Sequence, residues 1–254
     1  LISRQNMSWG YRRITGELKK LGIKIGPSTV RNIMVEDNLG PSPKERQGEP
    51  PITWKTFIEA HMESFVACDF FTKDVRTLFG VHRVYVMVFI HLGSRKAYHS
   101  YPTDHPTHNW IMQQCRNATM WLEDEGLECE FLLRDRDALY PEKRMKAFFK
   151  SDDIKVIKTP VRAPKANAFC ESFIGTFKHE CLNYFTIFHR GQLNYICTTW
   201  FKHYNETRPH RGKGQGNNVL DVDFTPTSDG QVKCKKALGG IIKHYYREPK
   251  QDAA

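Results

Sequence analysis

The sequence predicts an α/β fold in which a mixed sheet of five strands has helices on its faces and a small helical segment in front. Three strand patterns come first, and helix, strand, helix, strand and helix patterns then follow one another. A Pro-rich stretch separates this region from two N-terminal helical patterns. We therefore divide the chain into a helical segment 1–39, a linker 40–55, a core 56–210 and a basic C-terminal segment 211–254.

The N-terminal segment has the pattern of two short helices. The spacing of apolar residues predicts a helix over 9–21, which Gly22 would end, and a second helix over 28–37. The expected core positions are Tyr11, Ile14, Leu18, Leu21, Val30, Ile33 and Met34. Two helices with a short Gly-containing connection resemble a helix-turn-helix, although an ordinary helical hairpin fits the same spacing.

Three apolar runs rich in Val, Phe and Tyr follow the linker. They predict strands over 64–72, 81–92 and 95–101, most simply an antiparallel meander. The remaining core patterns predict helices over 107–125, 141–150, 167–183 and 191–205, short strands over 130–134 and 155–158, and a Pro-containing loop over 159–166.

The charge of the chain is unevenly distributed. The formal net charge is +10, but residues 51–154 carry 13 basic and 15 acidic groups, whereas residues 155–213 carry ten basic and three acidic groups. This pattern favours a polyanionic partner, although many basic proteins are merely soluble. An acidic centre between basic segments suits an enzyme that uses metal ions on a phosphate backbone.

Several functional classes are not expected from the composition. The chain has no run of 18 apolar residues, so no membrane span is predicted, and its first residues lack the plan of a signal peptide. Its seven cysteines form no CxxC pair, which favours free thiols in a reducing cytoplasm and argues against a zinc site.

Three acidic residues are candidates for chemistry. Asp69 lies within a predicted interior strand, where a carboxylate is costly unless it is paired or bound to a metal. Asp135 stands just after the apolar run 131–133, with Arg134 between them, and Glu171 lies on the helix after the Pro-containing loop. Taken singly, each residue could be structural, because a buried Asp often caps a turn and a Glu on a helix is usually solvated.

The spacing of these residues resembles a known catalytic triad. Between Asp135 and Glu171 lie 35 residues, and with Asp69 this is similar to the Asp, Asp-35-Glu triad of retroviral integrases and bacterial insertion-sequence transposases. Other segments resemble the same family in the family's order. They read WGYRRI at 9–14, LRDRDALY at 133–140, TPVRAPKANAFCESF at 159–173, HYN at 203–205 and RPH at 208–210.

Two other carboxylates compete for places in the triad. Asp137 is an alternative to Asp135, because the family commonly has Asp-Asn-Gly where this chain has Asp-Arg-Asp; we favour Asp135, which stands closer to the strand. Asp74 is a weaker alternative to Asp69, since it follows the predicted strand in a turn where Asp is ordinary.

The resemblance implies a ribonuclease-H-like catalytic domain that acts as a polynucleotidyl transferase. Asp69, Asp135 and Glu171 would be ligands of Mg²⁺ or Mn²⁺, with two ions expected. Water would first free a 3′-hydroxyl at the element's end, and that hydroxyl would then attack target DNA.

The resemblance also implies partners. We expect element ends and target DNA, a homo-oligomer that holds two ends together, and a cytoplasmic, nucleoid-associated protein. Lys178 stands seven positions after Glu171 and is expected to contact DNA; the alternative is an ordinary surface lysine. The candidate DNA-binding residues are Lys178, Lys165, Arg162, Arg208, His210, Arg211, Arg12, Arg13 and Arg31. A nuclease that hydrolyses without joining, or a decayed DNA-binding protein, remains an alternative.

Overall fold

The structure is a computed structural model of the 254-residue chain. It divides into two compact units, Leu1–Thr53 and Trp54–Ala254, which are described separately. The residues that the structure describes are 2–5, 9–37, 39, 56, 58, 60–159, 167–210, 219–221, 224–226 and 228–248. The predicted linker 40–55 lies outside them, and the domain boundaries stay predictions.

The first unit contains helix α1 (Ile2–Gln5), helix α2 (Tyr11–Lys20) and helix α3 (Pro27–Glu36). Gly22 follows α2 with φ 78°, and the next amide, of Ile23, donates to the Leu18 carbonyl at 2.9 Å. This is the Schellman ending that glycine permits, so the predicted end of the first helix is confirmed.

The apolar residues of the first unit only partly match the expected core. Ile14, Val30 and Met34 are buried together. Leu21 is 67% exposed and Ile33 is 47% exposed, so these two expected core positions were wrong. Leu21 is the C-cap of α2, where the chain turns away, and Ile33 stands on α3 one residue from the buried Met34.

The second unit is built on a mixed sheet, as predicted for a ribonuclease-H-like fold. Its strands are β1 (Phe65–Thr77), β2 (Gly80–His91), β3 (Ala97–His99), β4 (Phe131–Arg134) and β5 (Lys155–Lys158). The strand order is β3-β2-β1-β4-β5. The first three strands form the predicted antiparallel meander, whereas β4 and β5 continue from β1 in parallel.

Helices cover both faces of this sheet. They are α4 (His108–Asp124), α5 (Glu142–Lys150), α6 (Ala168–Glu180) and α7 (Arg190–Glu206). Successive β1 residues point to opposite faces, so Val66 and Cys68 pack with α4 and α5, whereas Phe71 and Val75 pack with α6 and α7. None of the described helices is long and apolar enough to span a membrane.

The β1–β2 hairpin is longer than the predicted strands. The ladder continues to Thr77 and Gly80, and Val75 also pairs with Ile187 beyond α6. At the tip, Leu78 is 100% exposed. The extension was not predicted because most of its residues are polar, although Val75 within it is buried in the core.

The C-terminal segment contains a second hairpin that the sequence analysis did not identify. Strand β6 (Gln231–Ala237) pairs antiparallel with β7 (Ile242–Glu248). Leu238 and Ile242 lie at the turn and join the core around α6 and α7. The hairpin therefore packs on the core of the second unit through its turn, while most of β6 is exposed.

Candidate active site

Asp69 lies on β1 at the point where the core residues give way to polar ones. Its neighbours at even positions face α4 and α5, so Asp69 faces α6. The Phe70 amide donates to Asp69 Oδ1 at 2.7 Å, and the side chain is otherwise half-buried. A carboxylate in this position keeps one oxygen in a fixed orientation.

Asp135 follows the last residue of β4. Because Cys68 pairs with Arg134 in the parallel β1–β4 ladder, the next residues along the two strands are Asp69 and Asp135. Arg134 is buried beneath this point, and its Nη1 donates to the Asp135 carbonyl at 3.0 Å. The register of the sheet therefore brings two of the three predicted carboxylates side by side.

Glu171 stands in the first turn of α6 and is exposed. Phe173 and Phe177 bury the opposite stripe of the helix in the core, as predicted, and Phe169 packs against that core. Glu171, Gly175 and Lys178 share the outer stripe, where Gly175 has nothing within 4 Å of an added Cβ. The surface of the helix is therefore open between Glu171 and Lys178.

Asn167, just before α6, connects the helix to the sheet. Its Nδ2 donates to Asp69 Oδ2 at 3.3 Å and lies 3.4 Å from the Cys68 carbonyl. The side chain makes no helix-capping hydrogen bond, and its Oδ1 is buried without a partner in the part of the chain described. An amide oxygen thus remains available beside Asp69.

The pKa of Asp69 is raised mainly by burial and further by the neighbouring carboxylates. Burial, chiefly, together with the charges of Asp135, Glu171 and Asp137, raises this pKa from 3.8 to about 6, against the lowering effect of the Phe70 hydrogen bond. Burial also raises the pKa of Asp135. The site therefore holds more negative charge than its own hydrogen bonds compensate, which a cation would relieve.

A divalent cation fits the chemistry of these donors. Carboxylate oxygens and the unpartnered Asn167 Oδ1 are hard ligands of the kind that Mg²⁺ and Mn²⁺ take. Among the described residues, no three His, Cys, Asp or Glu side chains stand together as a ready-made metal site. Glu171 is exposed, so its side chain is free to turn toward Asp69 without disturbing the core.

The alternative carboxylates have other contacts. Asp137 Oδ1 accepts from the Leu139 amide at 2.9 Å, which is a turn-stabilising role. Asp74 lies within 3.4 Å of the exposed Arg83 across the β1–β2 ladder. Both contacts are consistent with structural roles for these residues, and the choice of Asp69 and Asp135 stays a prediction.

Two lysines stand beyond the carboxylates on the same side of the sheet. Lys73 Nζ donates to the Leu182 carbonyl at 3.2 Å. Burial lowers the pKa of Lys73, Asp74 raises it, and the nearby positive charge of Lys178 lowers it further. The predicted Lys178 therefore has a cationic neighbour, Lys73, that the sequence analysis missed.

Arg208 and His210 are held within the protein. Arg208 makes two hydrogen bonds to Glu180, at 2.6 and 2.8 Å. His210 is buried, and its Nε2 donates to the Tyr204 carbonyl at 2.8 Å. The Arg208 contact joins the end of α7 to α6, and the His210 contact holds the following residues against α7. Neither residue is brought beside the carboxylates by a described contact.

The other predicted DNA-binding residues are placed as follows. Arg12, Arg13 and Arg31 are exposed on α2 and α3 in the first unit, where Arg13 lies over the Trp9 ring at 4.1 Å. Arg162, Lys165 and Arg211 lie outside the described residues.

The most specific prediction from this geometry concerns pH. Asp69→Asn should stabilise the metal-free protein at pH 7, because it removes a charge whose burial raises the folded-state pKa from 3.8 to about 6. The wild-type protein loses free energy of unfolding as pH rises from about 4 to 6, and the loss is constant above pH 6, on the order of 3 kcal/mol. Thermal unfolding of both proteins across this range measures it. A difference in stability that does not change with pH would contradict the assignment.

Part of the chain is similar to a known protein family. Residues 152–216 match the family model of the integrase core domain. A stretch of 53 residues is 42% identical to an uncharacterised 39.2 kDa protein of insertion element IS476 from Xanthomonas euvesicatoria. That match covers 21% of this chain and 15% of the relative's length.

Solved structures of similar shape include two enzyme cores. The HTLV-2 integrase catalytic core domain in complex with magnesium aligns over 61% of this chain and 94% of its own, at 12% identity and TM-score 0.45. The catalytic domain of Mos1 mariner transposase aligns over 58% of this chain and 76% of its own, at 11% identity and TM-score 0.48.

Proposed function

We propose, from the premise that residues 152–216 belong to the integrase core domain family, that this chain is a transposase or integrase that cuts and joins DNA. The observation that carries the proposal is the convergence of acidic groups on Asp69. Asp135 reaches it through the β1–β4 register, and the charge of Glu171, within the matched segment, acts on its pKa.

In this proposal Asp69, Asp135 and Glu171 hold two divalent cations, and the amide oxygen of Asn167 is a further candidate ligand. When bound, such ions would activate the attacking oxygen and stabilise the leaving one in an in-line displacement at phosphorus. The rigid β1–β4 edge fixes two of the carboxylates, whereas the exposed Glu171 brings the third from α6.

The same residues would serve two successive reactions. Water would first release a 3′-hydroxyl at the end of a mobile element, and that hydroxyl would then attack a phosphodiester of target DNA. Such a displacement involves no covalent enzyme intermediate, so no nucleophilic side chain is required. In agreement, burial raises the pKa of the Cys68 and Cys170 thiols, and this suppresses their nucleophilic thiolate forms.

DNA would lie along the outer stripe of α6. Lys178 and Lys73 stand beyond the carboxylates with their positive charges close together, an arrangement that a phosphate group would stabilise. Gly175 leaves room for the backbone between Glu171 and Lys178. These contacts would position DNA without reading its sequence.

The first unit, with Arg12, Arg13 and Arg31 exposed, would bind DNA as a helix-turn-helix or serve in assembly. A homo-oligomer on DNA is proposed, because two element ends must be held together for joining. The nucleoid is the corresponding location.

One reaction mixture separates the proposal from its two alternatives. The protein is incubated with a pre-cut element end, a plasmid target and Mn²⁺, and the products are resolved on a gel. Joined products support the transposase, nicks alone support a nuclease on the same fold, and DNA binding without either product supports a decayed element protein. Omitting Mn²⁺ should remove every product.

A further inference from the structure

A second site lies on the far side of α6 from the acidic residues. A cavity of about 530 Å³ opens there, and its described lining joins the β2–β3 turn to α6 and α7. The lining residues used below are Arg95, Phe169, Ser172, Tyr204, Arg208 and His210. Ala168 and Phe169, at one end of the cavity, directly follow Asn167, which contacts Asp69. The cavity and the acidic site therefore flank the same first turn of α6.

Arg95 is the principal cation of this cavity. Its guanidinium is half-buried and lies 4.9 Å from the centre of the Phe169 ring. In the described part of the chain it makes no salt bridge, and Glu63, whose charge acts on it, stands beyond salt-bridge distance. Burial, chiefly, lowers the pKa of Arg95, and Tyr204 and Glu63 offset this only in part, so the charge is desolvated without a direct ion pair to a described residue.

The backbone of Arg95 is also unusual. Its φ is 65°, in the left-handed region that asparagine and glycine adopt more readily than arginine. The Arg95 amide donates to the His91 carbonyl at 2.9 Å, so the turn between β2 and β3 stabilises this conformation. A substitution at this position should therefore introduce a residue that tolerates the left-handed region.

The remaining donors of the cavity are suited to an oxyanion. The hydroxyls of Ser172 and Tyr204 have no hydrogen-bond partner in the described part of the chain. The second arginine, Arg208, is already neutralised by Glu180, and His210 donates to the Tyr204 carbonyl. The available donors are thus one guanidinium and two hydroxyls, which match the oxygens of a phosphate.

We propose that this cavity binds a backbone phosphate of the DNA that also occupies the acidic site, with Arg95 as its principal ligand. The inference rests on the proposed function, because DNA is the anion that would reach both sides of α6 at once. A carboxylate of another protein chain is the competing occupant, but such a group would not also occupy the acidic site at Asp69. Arg95 would fix the position of the duplex relative to the carboxylates.

The test uses Arg95→Asn, since asparagine accepts the left-handed backbone while removing the guanidinium. Binding of a duplex of about 40 base pairs is measured by fluorescence anisotropy at increasing salt. Arg95→Asn should weaken DNA binding about tenfold. The slope of the logarithm of the binding constant against the logarithm of the salt concentration should become smaller by about one. The melting temperature of the protein should stay the same or rise. The DNA affinity of Arg95→Lys should lie between those of the wild type and Arg95→Asn, because lysine keeps the charge but lacks the planar guanidinium.

Arg116→Gln is the matched control. Arg116 is exposed on α4, across the sheet, and its loss should leave both affinity and salt slope unchanged. Equal binding by Arg95→Asn and Arg116→Gln would overturn the inference, as would a loss of self-association by Arg95→Asn with DNA binding intact. If the wild-type protein still joins DNA in either case, the proposed function stands and only the phosphate site is refuted. If the wild-type protein neither binds nor joins DNA, both the phosphate site and the proposed function are refuted.

Discussion

Glu171→Gln is expected to abolish strand joining, by at least about 100-fold, while DNA binding survives. The amide keeps the size of the side chain but cannot supply the negative charge that a divalent cation needs. Glu171 is exposed on α6, so the fold should not change. Joining is measured with a pre-cut end and a plasmid, and binding is measured by anisotropy with the same end.

Two control variants make this result specific. Glu123→Gln removes an equally exposed carboxylate from α4, across the sheet, and should join DNA normally. Asp137→Asn tests the alternative triad; the asparagine oxygen can still accept from the Leu139 amide, so activity should be retained. Normal joining by Glu171→Gln, or loss of joining in Asp137→Asn with Asp135→Asn active, would refute the proposed triad.

Arg134→Ala should lower the free energy of unfolding by about 3–5 kcal/mol. The arginine is 1% exposed, donates to the Asp135 carbonyl at 3.0 Å and lies over the Tyr140 ring at 5.0 Å. Its truncation leaves a cavity under the end of β4 and a carbonyl without its donor. Denaturant unfolding measures this loss of stability. The slope of the free energy of unfolding against denaturant concentration should be the same for both proteins if unfolding is two-state.

Arg134→Met separates the packing of this side chain from its charge. Methionine fills most of the space without bringing a buried cation, and Arg134 Nε already lacks a partner in the described structure. The substitution gives up the 3.6 Å ion pair of Nη2 with Glu142, whose side chain is partly exposed. We therefore expect Arg134→Met to lose less than about half as much stability as Arg134→Ala. A loss below about 1 kcal/mol for Arg134→Ala would show that the guanidinium is not a structural support of Asp135.

The sheet and its helices could be predicted because their apolar spacing is regular. Phe173 and Phe177 recur at the step of a helix, and the run before Asp135 has the length of a buried strand. The carboxylates were identified as candidates because they interrupt or end these apolar patterns. Placing Asp69 beside Asp135 required the β1–β4 register, which no local pattern contains.

The features that were missed depend on contacts between distant residues. Asn167 has the sequence context of an ordinary helix start, and only the structure shows its side chain directed at Asp69. Lys73 lay in a segment assigned to a turn, because the extension of β1 is held by Ile187 rather than by apolar alternation. The β6–β7 hairpin was missed because β6, QVKCKKA, is mostly polar and exposed.

The parallel pairing of β1 with β4 also determines when the acidic site can form. Asp69 is synthesised early, but its neighbour Asp135 arrives only after β2, β3 and α4 have been made, and Glu171 arrives later still. A nascent chain that ends before β4 has no edge on which to assemble the triad. The proposed cutting activity therefore requires the chain to be synthesised at least as far as α6.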